Sequence, residues 1–224
     1  MSRIVHSYIE NYLREISPPG DEDLQELRAF GEGEDFPILK PETESFFRFL
    51  LPSIRPKRIL ELGTAMGYSA LVFHRAAPES QIDTVEIQPE MAIFARTNIQ
   101  NHHLEDKIHL HIGDAAQYLK EAEGPYDLIF VDAAKAQIPN YVAAALPLLS
   151  EEGWMVVDNV LYHGMIASKR FFEHRKITIV KRLRKFLPQI LAREDVHATV
   201  LPIGDGLLLI RKNTLERGSS HEEG

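Results

Sequence analysis

Arg58-Ile59-Leu60-Glu61-Leu62-Gly63-Thr64-Ala65-Met66-Gly67-Tyr68-Ser69 sets a short apolar run against a turn with two glycines, and a helical pattern follows to about Ala77. A buried strand that breaks on glycine and feeds a helix is the opening unit of an α/β sheet. The unit recurs downstream. Ile82–Ile87, Ile108–Ile112, Tyr126–Val131 and Gly153–Val157 read as strands. Pro89–Gln100, Ala115–Ala122 and Pro139–Leu149 read as the helices between them, and a long helical stretch follows the fifth strand to about Leu187. This alternation predicts a mostly parallel sheet with helices on both faces. Ala198–Pro202 and Gly206–Arg211, joined by Ile203-Gly204-Asp205, predict an antiparallel C-terminal hairpin at one edge, for seven strands in all.

Upstream of the sheet, residues 2–16 carry Ile4, Val5, Tyr8, Ile9, Tyr12, Leu13 and Ile16 at helical spacing. Ser17-Pro18-Pro19-Gly20 ends that helix, and residues 21–35 are acidic with a short helix expected around Leu24–Phe30. Residues 41–51 read as another helix. We expect a single domain over 1–212, with 1–35 as a helical extension and 213–224 as a flexible polar tail.

The chain has no cysteine, which excludes disulfides, thiolate–metal sites and thiol nucleophiles. No secretory leader is visible at Met1–Tyr8, and no apolar run has the ~18 residues of a membrane span. A cytoplasmic protein without membrane association is expected.

Ligands of doubly wound sheets bind at the carboxyl ends of the strands, where strand order reverses. The Gly63–Gly67 turn is not G-x-G-x-x-G, so the dinucleotide fingerprint is absent. Glu86 ends the second strand, 23 residues after Gly63, where an acid can hydrogen-bond ribose hydroxyls. Gly113-Asp114-Ala115 ends the third strand, where an adenine-sized ring can be held. A generic turn with a chance acid downstream is the plain alternative. Glu61, Gly63, Gly67, Glu86 and Asp114, all at strand ends, together outweigh it. A nucleoside site with no pyrophosphate cradle points to S-adenosylmethionine, whose sulfonium and amino groups favour acids and carbonyls.

The fourth strand ends in Val131-Asp132-Ala133-Ala134-Lys135 and the fifth in Val157-Asp158-Asn159. If those strands are neighbours, Asp132, Asp158 and Asn159 converge. Three oxygen donors suit a hard cation, above all Mg²⁺. Lys135 lies within reach of the same cavity as a candidate base. An Asp that merely caps the next turn is the plain alternative for either acid taken alone. His102, His103, His109 and His111 invite a metal reading, but no spacing forces a partner, and a surface or satisfied-core role is expected.

At these residues the chain resembles the metal-dependent class I O-methyltransferases, the family of catechol and caffeoyl-coenzyme A O-methyltransferases. The motifs are Leu60-Glu61-Leu62-Gly63 with Gly67-Tyr68-Ser69, then Glu86, Val131-Asp132-Ala133 with Lys135, and Asp158-Asn159, within residues 36–211. The resemblance implies a Rossmann-like fold. It implies Ile38, Glu61, Gly63, Tyr68, Ser69, Glu86, Asp114, Ala115 and Asp132 around the cofactor. It implies Asp132, Asp158 and Asn159 on the metal, with Lys135 and Asp132 catalytic. The Gly204-Asp205-Gly206 ending is most similar to the bacterial branch that methylates 5-hydroxyuridine at the tRNA wobble position, U34, to 5-methoxyuridine. A homodimer with the N-terminal helix at its interface is implied as well.

Metal-assisted O-methylation needs two vicinal oxygens on the acceptor. Catechol has them, and so does 5-hydroxyuridine through its 5-oxygen and 4-carbonyl. The charge distribution bears on the choice. The net charge of −8 argues against nucleic acid as a bulk figure, yet it is segregated. Residues 168–185 carry +7, the remainder −15, and residues 10–35 carry −7. We expect Lys169, Arg170, Arg175, Lys181, Arg182 and Arg184 to contact tRNA phosphates. A solvated helix face is the plain alternative for that run. A small catechol-like acceptor is the second functional reading, and a non-catalytic nucleoside- or RNA-binding module the third.

Overall fold

A computed structural model describes residues 4–18, 20–168 and 176–213. Seven strands form one sheet in the order β3-β2-β1-β4-β5-β7-β6. They are β1 (Arg58–Leu62), β2 (Gln81–Glu86), β3 (Ile108–Ile112), β4 (Tyr126–Val131), β5 (Leu149–Val157), β6 (Val196–Leu201) and β7 (Leu207–Lys212). The first five are parallel, and β7 runs antiparallel between β5 and β6.

The chain leaves β1 toward β2 and β3 on one side and returns to β4 and β5 on the other. The loops after β1 and β4 therefore flank the switch point. Register aligns the strand ends: Leu62 pairs with Val131, and Val131 with Val157. Gly63, Asp132 and Asp158 thus leave the sheet side by side.

The inner strands are apolar on both faces, as a sheet covered twice requires. Leu60, Leu62, Ile129, Val131, Met155 and Val157 pack on one core, which includes α6 (Ala115–Glu121), α7 (Ile138–Ala145) and α8 (Ile177–Leu191). The alternate residues Ile59, Leu128, Phe130 and Val156 pack on the other. That core takes α2 (Glu22–Gly33), α3 (Pro41–Ile54), α4 (Tyr68–Ala76) and α5 (Pro89–Asn101). Phe47, Phe73 and Phe130 meet at its centre, with ring centroids 4.7–5.5 Å apart.

Some boundaries differ from the sequence reading. The fifth strand starts at Leu149, not Gly153; a register shift between Tyr126 and Leu128 admits polar Ser150-Glu151-Glu152 into it. Helix α7 stops at Ala145, and Leu146–Leu148 is a 3-10 turn. Helices α3 and α8 each run past a proline, Pro52 and Pro188, in their last turn. The N-terminal helix α1 is Ser7–Ile16, with Tyr8, Tyr12, Leu13 and Ile16 exposed and Glu10 buried. Its apolar face therefore does not join the core. The expected tail over 213–224 lies, apart from Asn213, outside the described residues. Among the described residues no helix is long and apolar enough to cross a membrane.

Candidate active site

The turn after β1 is built around Gly63, with φ +100°. A Cβ there would lie 2.4 Å from the Asp132 carbonyl oxygen, so the cofactor-side turn and the loop after β4 touch at this residue. Gly63 and Thr64 donate their N–H groups to the Val85 carbonyl. Helix α4 then begins at Tyr68, and the N–H groups of its first turn have no partner within the helix. Asn98 of α5 holds the turn from behind by donating to the Met66 carbonyl at 2.8 Å.

Glu86 is buried, and its two carboxylate oxygens accept the Ala65 and Gln88 N–H groups, both at 2.8 Å. These bonds fix its orientation and leave further lone pairs for hydroxyl donors. Ile38 is half-buried and packs over Met66 of the turn together with Gly31 of α2. Asp114 is exposed and caps α6 by accepting the Gln117 N–H at 3.0 Å, while Ala115 is buried behind it.

Two of the expected cofactor-side residues make contacts within the protein. Glu61 is fully buried beneath the turn and accepts hydroxyl donors from Thr84 at 2.6 Å and Thr64 at 3.2 Å. Both threonine hydroxyls sit on its Oε2, while Oε1 is buried without a hydrogen-bond partner. Tyr68 points its hydroxyl away from the turn, donating to Glu44 at 2.7 Å and accepting from Arg28 at 3.2 Å. Its ring fastens α2 and α3 to α4, and only its backbone belongs to the turn. Ser69 lies beside Glu61 at the same helix start, as a further hydroxyl on that carboxylate.

Burial pushes the Glu61 carboxyl up to about 7 in spite of these hydroxyl donors. The folded protein therefore prefers the acid form. Its stability contribution is full below the unfolded value of 4.5 and is lost as pH rises toward 7. Glu61→Gln removes that decline. The variant's melting temperature should gain about 2–4 °C on the unsubstituted protein between pH 5 and pH 8, as measured by thermal melts across pH.

On the other side of the switch point, Asp158 is 3% exposed and its N–H donates to the Val131 carbonyl. Burial and the charge of Asp132 both push its carboxyl well above the usual range. Asn159 follows in a left-handed conformation, φ 63°, with its N–H on Asp158 Oδ1 at 2.5 Å. Lys135 Nζ donates to Asp132 Oδ1 at 3.0 Å. Burial alone would lower this ammonium, but Asp132's charge and hydrogen bond outweigh it, and the net shift is upward.

Among the described residues no three His, Asp or Glu side chains gather into a metal cage. The candidate set here is two carboxylates and an amide. Asp132 and Asp158 directly follow the paired strand ends Val131 and Val157, and oxygen donors of this kind are those a hard divalent cation takes.

The basic run divides. Lys169, Arg170 and Arg175 lie outside the described residues. Lys181 and Arg182 are exposed on α8, and Arg182 donates to the Ala136 carbonyl at 2.9 Å. Arg184 is half-buried on the same helix. Its guanidinium turns inward to the Met165 and Ile166 carbonyls, at 3.0 and 2.8 Å, and ties α8 to the loop after β5.

His103 is exposed, and the other three histidines have partners within the protein. His102 contacts Asn98 and Asp23, His109 contacts Gln81, and His111 contacts Asp83. A hollow lined by Gly124, Pro125, Pro147, Leu148 and Lys212 lies at the opposite, amino end of the parallel strands. It carries none of this chemistry.

A sheet with this strand order, with an antiparallel β7 beside β5, is the Rossmann-like methyltransferase fold. The chain belongs to the O-methyltransferase family, whose pattern matches residues 14–213. It is 32% identical over 168 residues to a catechol O-methyltransferase of Niastella koreensis, covering 73% of this chain and 74% of that one. It is 28% identical over 226 residues to a caffeoyl-CoA O-methyltransferase of Stellaria longipes, covering 94% and 91%. The SAH-bound methyltransferase PaMTH1 of Podospora anserina superposes with a TM-score of 0.84 at 28% identity, covering 92% of this chain and 94% of that one.

The Lys40–Asp205–His163 cluster and the Thr64 and Thr84 donors escaped the sequence reading.

Proposed function

We propose that this protein is an S-adenosylmethionine- and Mg²⁺-dependent O-methyltransferase for acceptors with two vicinal oxygens. The observation that carries the reading is the alignment of Gly63, Asp132 and Asp158 on three adjacent strand ends, with Lys135 on Asp132. S-adenosylmethionine supplies the methyl group, and Mg²⁺ supplies a charge that lowers the acceptor hydroxyl's pKa. Glu86 binds the ribose hydroxyls, and the start of α4 at Tyr68 and Ser69 offers backbone N–H groups to the cofactor's carboxylate. Asp132, Asp158 and Asn159 hold the cation. Lys135 Nζ takes the acceptor's proton, and the fixed geometry supplies orientation. The SAH-bound relative and the catechol and caffeoyl-CoA enzymes support this reading.

For the acceptor we propose 5-hydroxyuridine at the tRNA wobble position, supported by the +7 segment at 168–185. A protein with no cysteine also lacks the nucleophile of the covalent route to carbon 5, which leaves oxygen as the target. A small catechol-like acceptor is the second reading. It is favoured by the catechol O-methyltransferase relative and by Arg182 and Arg184 being engaged with backbone carbonyls. Mass spectrometry of tRNA nucleosides from cells with and without the protein separates the two. Loss of 5-methoxyuridine is expected, and its persistence, with efficient turnover of free catechol, selects the second. The non-catalytic alternative is opposed by the family the chain belongs to.

We also propose a cytoplasmic homodimer. The exposed apolar face of α1, Tyr8, Tyr12, Leu13 and Ile16, supports its interface, and solution mass against concentration tests it.

A further inference from the structure

Asp205 sits in the turn between β6 and β7 and is 3% exposed. Its Oδ2 lies 2.9 Å from His163 Nδ1. Its Oδ1 makes no hydrogen bond and is held by an ion contact with Lys40 Nζ at 3.3 Å. The two partners come from opposite sides of the site. Lys40 precedes α3, and His163 lies in the loop that follows Asp158 and Asn159.

The backbone makes the same connection. Leu161 donates to the Asp205 carbonyl and Val160 to the Gly206 carbonyl, both at 3.0 Å. Gly206 has φ +92°, and a Cβ there would lie 2.4 Å from Leu161 Cγ, so turn and loop are in direct contact. The loop needs such support. Asn159, Tyr162 and His163 are all left-handed, with φ of 63°, 45° and 54°. Non-glycine backbone in that region persists only where its surroundings hold it.

We propose that Asp205 is a positioning residue for the metal-ligand loop, acting through His163 and Lys40. The inference rests on the reading of Asp132, Asp158 and Asn159 as cation ligands. Asp205 touches neither the cation nor the acceptor. It fixes the segment that aims Asn159 and holds it to Lys40 at the start of α3. Residues that orient ligands in this way are worth about 10–100-fold in metal affinity.

The test is Mn²⁺ binding to the full chain, followed by electron paramagnetic resonance of the free ion, with calorimetric S-adenosylhomocysteine binding as the control. Asp205→Asn should weaken Mn²⁺ about 10–100-fold and leave S-adenosylhomocysteine affinity unchanged. His163→Gln should weaken Mn²⁺ as well, and the double variant should be no worse than Asp205→Asn alone. Should Asp205→Asn not fold, His163→Gln carries the same test. Unchanged Mn²⁺ affinity in a folded variant overturns the proposal. So do equal losses for Mn²⁺ and S-adenosylhomocysteine with a lowered melting temperature, which mark general destabilisation. If the unsubstituted protein binds no Mn²⁺, the metal reading falls and this inference with it. Mn²⁺ binding that is equal in both proteins overturns only the inference.

Discussion

Asp158→Asn is expected to reduce methyl transfer by about a thousandfold while making the cation-free protein more stable. The catalytic loss follows from the ligand count. The candidate cation has two carboxylates and one amide, and the substitution removes one of the two charges that draw it in. A Lewis-acidic cation is worth several kcal/mol of transition-state stabilisation, and about 4 kcal/mol is near a thousandfold in rate. The gain in stability has the opposite origin. Asp158 is 3% exposed, and burial with the charge of Asp132 raises its carboxyl, so folding without a cation costs either a proton taken up or a charge buried beside a like charge. Asn keeps the Oδ1 that accepts the Asn159 N–H and removes the repulsion. In a chain this size, relief of about 1–2 kcal/mol raises the melting temperature by about 2–8 °C. Thermal melts with and without Mg²⁺ check both halves. Mg²⁺ should raise the midpoint of the unsubstituted protein by mass action and leave that of Asp158→Asn unmoved. A variant that loses activity and stability together would show that Asp158 is structural.

The sheet was legible because its strands are short apolar runs bounded by turn residues. The ends of β1, β3 and β4 agree with the sequence reading, since glycine, lysine, proline or a charged residue stands at their edges. The beginning of β5 was hidden because Ser150-Glu151-Glu152 is polar, and only pairing with β4 makes it strand. The apolar face of α1 was readable as helical spacing. What it meets was not, because periodicity reports a face and not its partner.

The site divides along similar lines. The strand-end placement of Gly63, Glu86, Asp132 and Asp158 was legible because it is encoded locally, at the carboxyl end of an apolar run. The directions of Glu61, Tyr68 and Arg184 were not encoded locally. Glu61 is sealed by Thr84 on the next strand, Tyr68 is claimed by Glu44 and Arg28, and Arg184 is claimed by the loop at Met165. For Lys40, Asp205 and His163, no spacing in the chain signals the contact. It arises only when the β6–β7 turn closes over the end of β5.

Lys135→Gln is expected to lower kcat by about 100- to 10,000-fold, the usual contribution of a positioned general base, without weakening metal binding. The second half makes the prediction specific. In the cation-free protein Lys135 is an ammonium held by Asp132, whose charge and hydrogen bond raise it above its ordinary value. That pair competes with a cation for the same carboxylate. Removing the ammonium frees Asp132, so Mn²⁺ affinity should hold or improve while turnover collapses. When Asp132 instead serves a cation, it no longer supports the protonated lysine. Burial, which alone favours the neutral amine, then acts unopposed by that partner. In the proposed mechanism Lys135 is accordingly a base in the loaded site, whereas in the empty site it is an ion-pair partner of Asp132. Measuring kcat and Mn²⁺ affinity on one preparation of the variant decides the matter. Loss of both would make Lys135 a strut for Asp132, and retention of kcat would place the base elsewhere.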